Sequence, residues 1–253
     1  MAGLVEGKVA LVTGAGSGIG EAAARAFARE GARVVVSDID DAKGNAVCEA
    51  IRDAGSEANF FLADVSDEDA VSGLVAYSVE AFGRLDCALN NAGMTGPMAP
   101  LHEMDLAQWR RTLDVNLTGV FLCMKHEIPL MQQQGAGAIV NMASGSGLIA
   151  TPALAAYCAS KHGVLGITKT AAVENAATGV RINAILPGST DTPALRSSME
   201  LSPQVEKMIL RSLPGGRLGK AEEIAEAAVW LCSDRASFVS GESMLVDGAT
   251  VAR

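Results

Sequence analysis

Short runs of apolar, largely β-branched residues alternate along this chain with alanine-rich stretches of helical length, and this alternation restricts the fold more than any other feature. Val9-Ala10-Leu11-Val12 precedes a helical pattern over about 19–30, Arg33-Val34-Val35-Val36 one over about 41–54, and Asn59-Phe60-Phe61-Leu62 one over about 67–82. Strands that are apolar on both faces need cover on both faces, and a parallel sheet obtains it from its crossover helices. Right-handed βαβ units follow. The second half repeats the scheme less evenly. It reads as a strand at 86–89, a long helix over about 106–134 bent at Pro129, a strand at 138–141, a helix around Tyr157, a strand at 181–186, a helix near 221–232 and a strand at 244–246. The expectation is one doubly wound α/β domain over 1–253, with a seven-stranded, mainly parallel sheet and helices on both faces. At 253 residues and 49% hydrophobic content the chain can enclose such a core. The stretch from Pro187 to Arg217 stands outside the alternation, so a substrate lid is expected at about 190–216.

Thr13-Gly14-Ala15-Gly16-Ser17-Gly18-Ile19-Gly20 leaves the first strand and opens the first helix. Glycines there let the backbone turn tightly and approach a pyrophosphate, whose charge is favoured by exposed N–H groups at a helix amino end. The domain is thus of Rossmann type, with Gly14, Ser17, Gly18 and Ile19 against a dinucleotide. The spacing is T-G-x-x-x-G-x-G; a G-x-G-x-x-G pattern begun at Gly14 would need glycine where Ile19 stands. Asp38 ends the second strand, 18 residues beyond Gly20, where a carboxylate accepts hydrogen bonds from both ribose hydroxyls. It selects NAD over NADP, because a 2′-phosphate carries up to about two negative charges and each unit pair at ~4 Å costs ~1 to ~4 kcal/mol. No arginine or lysine stands at Ser17 or Ile39 to offset that repulsion. The alternative is that Asp38 serves only a turn or a helix cap.

Tyr157-Cys158-Ala159-Ser160-Lys161 lies 13 residues after Ser144. A tyrosine ionises near pH ~10, so as a base at neutral pH it needs a cation beside it. Lysine four residues later shares its helix face, so Lys161 can favour the Tyr157 phenolate. Ser144 follows an apolar run and emerges at the carboxyl end of the sheet, where open α/β sheets bind ligands. Alone, a tyrosine and lysine at this spacing could be a solvated helix face; beside the glycine turn they read as an acid/base pair.

The charge balance limits partners and compartment. Twenty basic against twenty-nine acidic residues give a net charge of -9 with no Lys/Arg cluster, which argues against nucleic acid and anionic membranes. Five scattered cysteines without a C-x-x-C pair suit reduced cytoplasmic thiols, and three dispersed histidines offer no metal site. The amino terminus lacks the basic start and apolar stretch of a signal peptide. The uncharged stretch 128–160 is broken by three glutamines, glycines, Asn141 and Pro152, and reads as a strand and site loop rather than a membrane helix.

In this order the motifs resemble those of the short-chain dehydrogenase/reductase family over nearly the whole chain. Further markers are Asp64-Val65, Asn90-Asn91-Ala92-Gly93, Asn116 in the long helix, Pro187-Gly188, and Thr192. Ala143 stands where many members have a second serine. The resemblance implies that Ser144 orients the substrate oxygen, Tyr157 transfers the proton, Lys161 tunes Tyr157 and holds the nicotinamide ribose, and Asn116 positions a water leading to Lys161. It also implies Asp64 and Val65 by the adenine, Asn91, Ala92 and Gly93 along the cofactor, and Pro187, Gly188 and Thr192 near the nicotinamide. A homotetramer is implied too, to which Trp230 and Met244-Leu245-Val246 could contribute.

The expected activity is hydride transfer between NAD(H) and a secondary alcohol or ketone. Ser146, Leu148, Ile149, Leu154, Met94, Leu195 and Met199 should surround the substrate, and their mostly apolar character suggests a cyclic or aryl compound. Arg196 could instead capture a carboxylate or phosphate. A 3-oxoacyl-carrier reductase and a catalytically silent NAD-binding protein are the alternatives; Asp38 and the acidic charge weigh against the first, and the set Asn116, Ser144, Tyr157 and Lys161 against the second.

Overall fold

A computed structural model describes residues 2–201 and 203–252. In its first half β1 (Val9–Thr13), β2 (Arg33–Asp38), β3 (Ala58–Leu62) and β4 (Cys87–Asn90) alternate with α1 (Gly18–Arg29), α2 (Asp41–Asp53) and α3 (Glu68–Phe82). In the second, α4 (Leu106–Leu113) and α5 (Gly119–Gln134) lead to β5 (Gly137–Met142), α6 (Ala155–Glu174) and β6 (Val180–Pro187). The chain closes with β7 (Thr190–Asp191), α7 (Pro193–Leu201), α8 (Pro203–Arg211), β8 (Gly219–Lys220), α9 (Ala221–Cys232) and β9 (Ser243–Val246). Seven strands form one sheet in the order β3-β2-β1-β4-β5-β6-β9, and every pairing in it is parallel.

The doubly apolar strands explain the layering. Ala10, Val12, Val34 and Val36 point into a core filled from α1, α2 and α9, whereas Leu11, Val35, Ala88 and Ile139 point to the opposite face, filled from α3, α5 and α6. Both clusters lie fully out of solvent, so a shift of one residue in any central strand would exchange its two faces without exposing either. Register is therefore set by the turns and by side chains at the strand ends. Aspartates cap the helices entering these layers: Asp40, Asp67 and Asp105 each accept from first-turn N–H groups of α2, α3 and α4.

Two stretches differ from the sequence expectation. The long helix over 106–134 changes register at Asp114–Thr118, a π turn in which the Gly119 N–H reaches back to the Asp114 carbonyl; Pro129 lies further on, within α5. The irregular stretch expected at about 190–216 contains two short helices, α7 and α8, tied at its base by the parallel pair β7 and β8. Proline starts each of these helices, a position where its missing N–H costs nothing. Ser202 between them lies outside the described residues.

α2 sits close to the sheet because Gly44 has no side chain: a Cβ there would lie 2.0 Å from the Phe60 ring of β3. Gly44→Ala improves helix propensity by about 1 kcal/mol, but overpacking of this kind costs about 1–3 kcal/mol. A fall in Tm is the expected outcome, by about 2–4 °C for each kcal/mol lost. A rise in Tm on thermal unfolding would show that Phe60 yields freely.

Candidate active site

The sheet order reverses between β1 and β4, whose successors leave in opposite directions and open a crevice at the carboxyl ends of these two strands. From β1 comes the glycine turn. Gly14 has φ +61, and a Cβ on Gly20 would stand 2.1 Å from the Gly14 carbonyl oxygen, so α1 begins directly against the turn. Ser17, the residue before α1, makes no side-chain cap, which leaves the first-turn N–H groups of the helix open to an anion. Asp38, at the end of β2, accepts from the Gly16 N–H at 2.8 Å with Oδ2 and from the Asp40 N–H at 2.9 Å with Oδ1. It thus shapes the turn while part of its carboxylate stays accessible. The sequence reading overlooked Lys43, which pairs with Asp40 at 2.9 Å and whose charge Asp38 helps to hold.

β4 delivers Asn90-Asn91-Ala92-Gly93 to the other wall. Thr13 Oγ1 accepts from the N–H groups of Asn91 and Ala92, at 3.0 and 3.1 Å, and Asn91 Nδ2 donates to the carbonyls of Thr13 and Gly14. These bonds clasp the two turns together. Thr13 itself was quoted in the motif without a role; its position as the last residue of a buried strand was the available signal. Gly93 lies against the catalytic groups, where a Cβ would meet Asn116 Oδ1 at 3.2 Å and Lys161 Nζ at 3.5 Å.

Asn116 sits fully buried in the π turn, where its Oδ1 accepts from the Met94 N–H and its Nδ2 donates to the Met94 carbonyl, both at 2.8 Å, and to Ser160 Oγ at 3.1 Å. Ser160 in turn donates to the Tyr157 carbonyl at 2.7 Å. The link joins the π turn to the first turn of α6, and Ser160 is a second residue whose part the sequence did not reveal. A hydroxyl at the fourth place of Y-C-A-S-K was the only hint.

α6 brings Tyr157 and Lys161 onto one face. Lys161 is buried, donates to the Met142 carbonyl at 2.7 Å, and holds its ammonium 5.7 Å from the centre of the Tyr157 ring. Burial brings its pKa down to about 8. Ser144 follows β5 and accepts from the Ser146 N–H at 3.1 Å, and its hydroxyl is near enough to Tyr157 to favour the ionised phenol. The expected lowering of the Tyr157 pKa by Lys161 is not what this arrangement produces. Burial raises the phenol above its ordinary value, and the nearby Ser144 hydroxyl opposes that only in part. The Lys161 ammonium is committed in part to the Met142 carbonyl.

The remaining residues divide. Val65 packs in a buried cluster with Val71, Val115, Leu122 and Ala92, and a Cβ on Gly119 would press on it at 2.8 Å. The Asp64 carboxylate is engaged by Arg111 at 3.0 Å and by Ser66, so its oxygens are already partly spoken for. Gly188, after Pro187, passes Asp247 so closely that a Cβ would lie 2.8 Å from its Cα. Thr192 caps α7 through Leu195 N–H and faces Gly18 from the other side of the crevice. Arg196 is held by Asp191 through two bonds of 2.5 and 2.7 Å. The site loop after Ser144 is fastened by Ser146 to Thr151 at 2.7 Å and by Cys158 to the Thr151 N–H. Within it Ala153 adopts φ 63, a left-handed conformation costly for alanine.

The residues present fit a dinucleotide: a tight glycine turn under an uncapped helix end, a carboxylate at the end of β2, and a buried lysine at the far end of the crevice. No helix among the described residues is long and apolar enough to cross a membrane. Residues 14–249 match the family model described as enoyl-(acyl carrier protein) reductase. A cis-4-hydroxycyclohexanecarboxylate dehydrogenase from Sinomonas cyclohexanicum is 45% identical, with 97% of each chain covered. A cyclohexanol dehydrogenase from Acinetobacter sp. (strain SE19) is 43% identical over 96% of this chain and 94% of its own. The crystal structure of levodione reductase is similar with a TM-score of 0.95 at 37% identity, covering 98% of both chains. With the glycine turn, the seven-stranded parallel sheet and this breadth of similarity in place, the chain belongs to the short-chain dehydrogenase/reductase family and is an oxidoreductase of the secondary alcohol and ketone couple.

Proposed function

We propose that the chain is an NAD-dependent dehydrogenase of cyclic secondary alcohols, with Tyr157 as the proton-transferring group. The observation that carries this reading is the joined set Asn116, Ser160, Tyr157, Lys161 and Ser144, assembled from the π turn, α6 and the end of β5 around one crevice. When bound, the nicotinamide supplies the hydride acceptor or donor. Gly14, Ser17, Gly18 and Ile19 would hold the pyrophosphate, Asp38 the adenosine ribose, Asp64 and Val65 the adenine, and Asn91, Ala92, Gly93, Pro187, Gly188 and Thr192 the remainder.

Ser144 and Tyr157 hold the substrate hydroxyl between two oxygens. Tyr157 acts from its phenolate form, its own proton having left to solvent beforehand: as the C–H bond breaks, the phenolate accepts the hydroxyl proton, a contribution of roughly 10²- to 10⁴-fold in rate. One of the three N–H groups of Lys161 is committed to Met142. The other two would serve the nicotinamide ribose and the Tyr157 oxygen; the phenolate present before proton transfer gives the buried ammonium the counter-charge it otherwise lacks. Asn116 keeps its carboxamide against Met94 and Ser160, which fixes the entrance to this lysine.

The substrate class rests on the walls of the crevice. Met94, Leu148 and Ile149 are exposed in the free chain, and Leu154, Leu195 and Met199 are half-buried, an apolar rim that gains from burying a ring. The Asp191 pair removes Arg196 from the role of carboxylate receptor, and relatives named for cyclohexanol and a hydroxycyclohexane acid support the ring. We place the lid function on α7 and α8, homotetramer formation on surfaces that include Leu245 and Trp230, and the cytoplasm as the compartment, where five free thiols are stable.

Three outcomes test the proposal. In a spectrophotometric assay of reduced nicotinamide, cyclohexanol with NAD should turn over faster than an open-chain hydroxy acid of similar size, and Tyr157→Phe should lose about 10²-fold or more of that activity. A hydroxy acid preferred by the wild type and lost in Arg196→Ala points to a charged substrate instead. Cofactor titrations should show NAD favoured over NADP by at least about tenfold in kcat/KM, equivalent to about 1.4 kcal/mol, and the preference should vanish in Asp38→Ala. Equal use of both by the wild type contradicts the ribose role, and shifts attention to Lys43.

The third outcome concerns stability. In the folded chain the Lys161 pKa is about 8, against 10.5 for the free side chain, so the folded state binds fewer protons between those values. A buried ammonium is therefore fully penalised below about pH 8, and the penalty is relieved as pH rises through that window, by on the order of 3 kcal/mol. Lys161→Met should unfold at a higher temperature than the wild type at neutral pH, with a gap that closes by about pH 10. A gap independent of pH would mean that burial leaves the Lys161 pKa where it is in the unfolded chain.

A further inference from the structure

Behind the crevice, between β4, β5, α5 and α6, lies a buried polar cluster that the hydride-transfer reading does not use. Its centre is Glu127 of α5, which has no solvent exposure. Asn90 Nδ2 donates to Glu127 Oε2 and to Asn141 Oδ1, both at 3.0 Å, and Asn141 Nδ2 donates to Thr168 Oγ1 at 2.9 Å. Two oxygens are left over: among the described residues, Glu127 Oε1 and Asn90 Oδ1 are both buried and have no partner. They are the remaining oxygens of a carboxyl and a carboxamide already joined by the bond from Asn90 Nδ2 to Glu127 Oε2.

A carboxylate here would leave both oxygens orphaned and a charge unpaired, a combination that protein interiors avoid. A carboxylic acid resolves both deficits with one proton, because its O–H can donate to the amide oxygen while the amide N–H donates to its carbonyl. Among the described residues, the surroundings supply no cation. On α5 itself, Lys125 and His126 lie beside Glu68 of α3, and the buried Cys123 thiol is pushed well above its ordinary pKa by burial. β4 and β5 contribute the two carboxamides, α6 contributes the Thr168 hydroxyl, and Lys161 of α6 responds to burial alone.

We infer that Glu127 is a neutral carboxylic acid whose proton is donated to Asn90 Oδ1, and that this acid–amide pair makes Glu127 a positioning residue for the Asn90-Asn91-Ala92-Gly93 wall of the active site. The wall needs such a hold. Asn91 clasps the glycine turn, and Gly93 lies against Asn116 and Lys161, so a displaced Asn90 disturbs the site from beneath. Burial pushes the Glu127 carboxyl up to about 7 from 4.5, with the Asn90 N–H pulling the other way. The pair is thus closed at mildly acidic pH and lost as the pH rises through neutrality.

The test compares the wild type with Glu127→Gln and Glu127→Leu. Glutamine can make both bonds of the pair at every pH. In the infrared difference spectrum of wild type minus Glu127→Gln, a protonated carboxyl stretch should be present at about pH 5 and fade by about pH 8. Over the same range the wild type should lose thermal stability relative to Glu127→Gln, because the unfolded carboxyl ionises first. Absence of the band at about pH 5, or a stability difference that does not change with pH, overturns the neutral acid. Positioning predicts that kcat falls at least tenfold in folded Glu127→Leu, with KM for the alcohol within about twofold, while Glu127→Gln keeps kcat within about threefold at about pH 6. Wild-type kcat in Glu127→Leu overturns it. Where that variant does not fold, the ratio of kcat in wild type to Glu127→Gln between about pH 6 and 8 decides, since positioning requires it to fall and a constant ratio overturns the role. The positioning role rests on the dehydrogenase reading, whereas the infrared band and the stability difference do not, so the two can fail separately.

Discussion

The parallel pairing of β1 with β4 is the constraint on which the site depends. Their neighbours in sequence leave to opposite sides of the sheet, so nothing of the chain's own backbone fills the gap beyond their carboxyl ends. Each strand then has to end in a turn that can lie in that gap without closing it. Thr13 accepts from the β4 turn, Asn91 donates to the β1 turn, and glycines at positions 14, 20 and 93 keep side chains out of the space.

The chemistry reaches this crevice from elements that pack for other reasons. α5 and α6 bury one face against β4, β5 and β6 as ordinary cover helices. Polar groups that interrupt this apolar layer take defined partners: Asn116 with Met94, Lys161 with Met142, Asn141 with Thr168. Polar groups in such a setting are costly when unpaired, so the bonds that satisfy them also fix their geometry. Lys161 is the partial exception, bonded once and otherwise uncompensated, and its lowered pKa records that deficit. Stability given up at one residue is common where a site must stay ready for a ligand.

Much of this was legible in the sequence, for identifiable physical reasons. Strands apolar on both faces, a glycine turn between strand and helix, and aspartates or glycines at the element ends define the sheet and its crossovers within a residue or two. Tyr157 and Lys161 at helical spacing fall on one face as geometry requires. What could not be read was orientation. Nothing in the spacing says that the Lys161 ammonium turns toward Met142, that Arg111 takes hold of Asp64, or that Arg196 is bound to Asp191, because each depends on partners distant in sequence or on a rotamer. Thr13 and Ser160 were hidden for the same reason: a hydroxyl at a strand or helix position is compatible with many partners. The two helices of the 193–211 stretch were obscured by their shortness, since nine residues give periodicity little room to register.

The π turn at Asp114–Thr118 also sets a phase. An α-helix advances about 100° per residue, so a turn that takes up about one extra residue rotates everything beyond it by more than a quarter of a circle relative to what precedes it. α4 can thereby aim Arg111 at the end of β3, through Asp64, while α5 aims Glu127 at the end of β4, through Asn90, with Asn116 at the slip between them. A helix in continuous phase could serve one of these strand ends but would carry the other anchor out of alignment. The extra residue works as a gear tooth, and the chain length between Arg111 and Glu127 is as much a part of the site as the side chains it aligns.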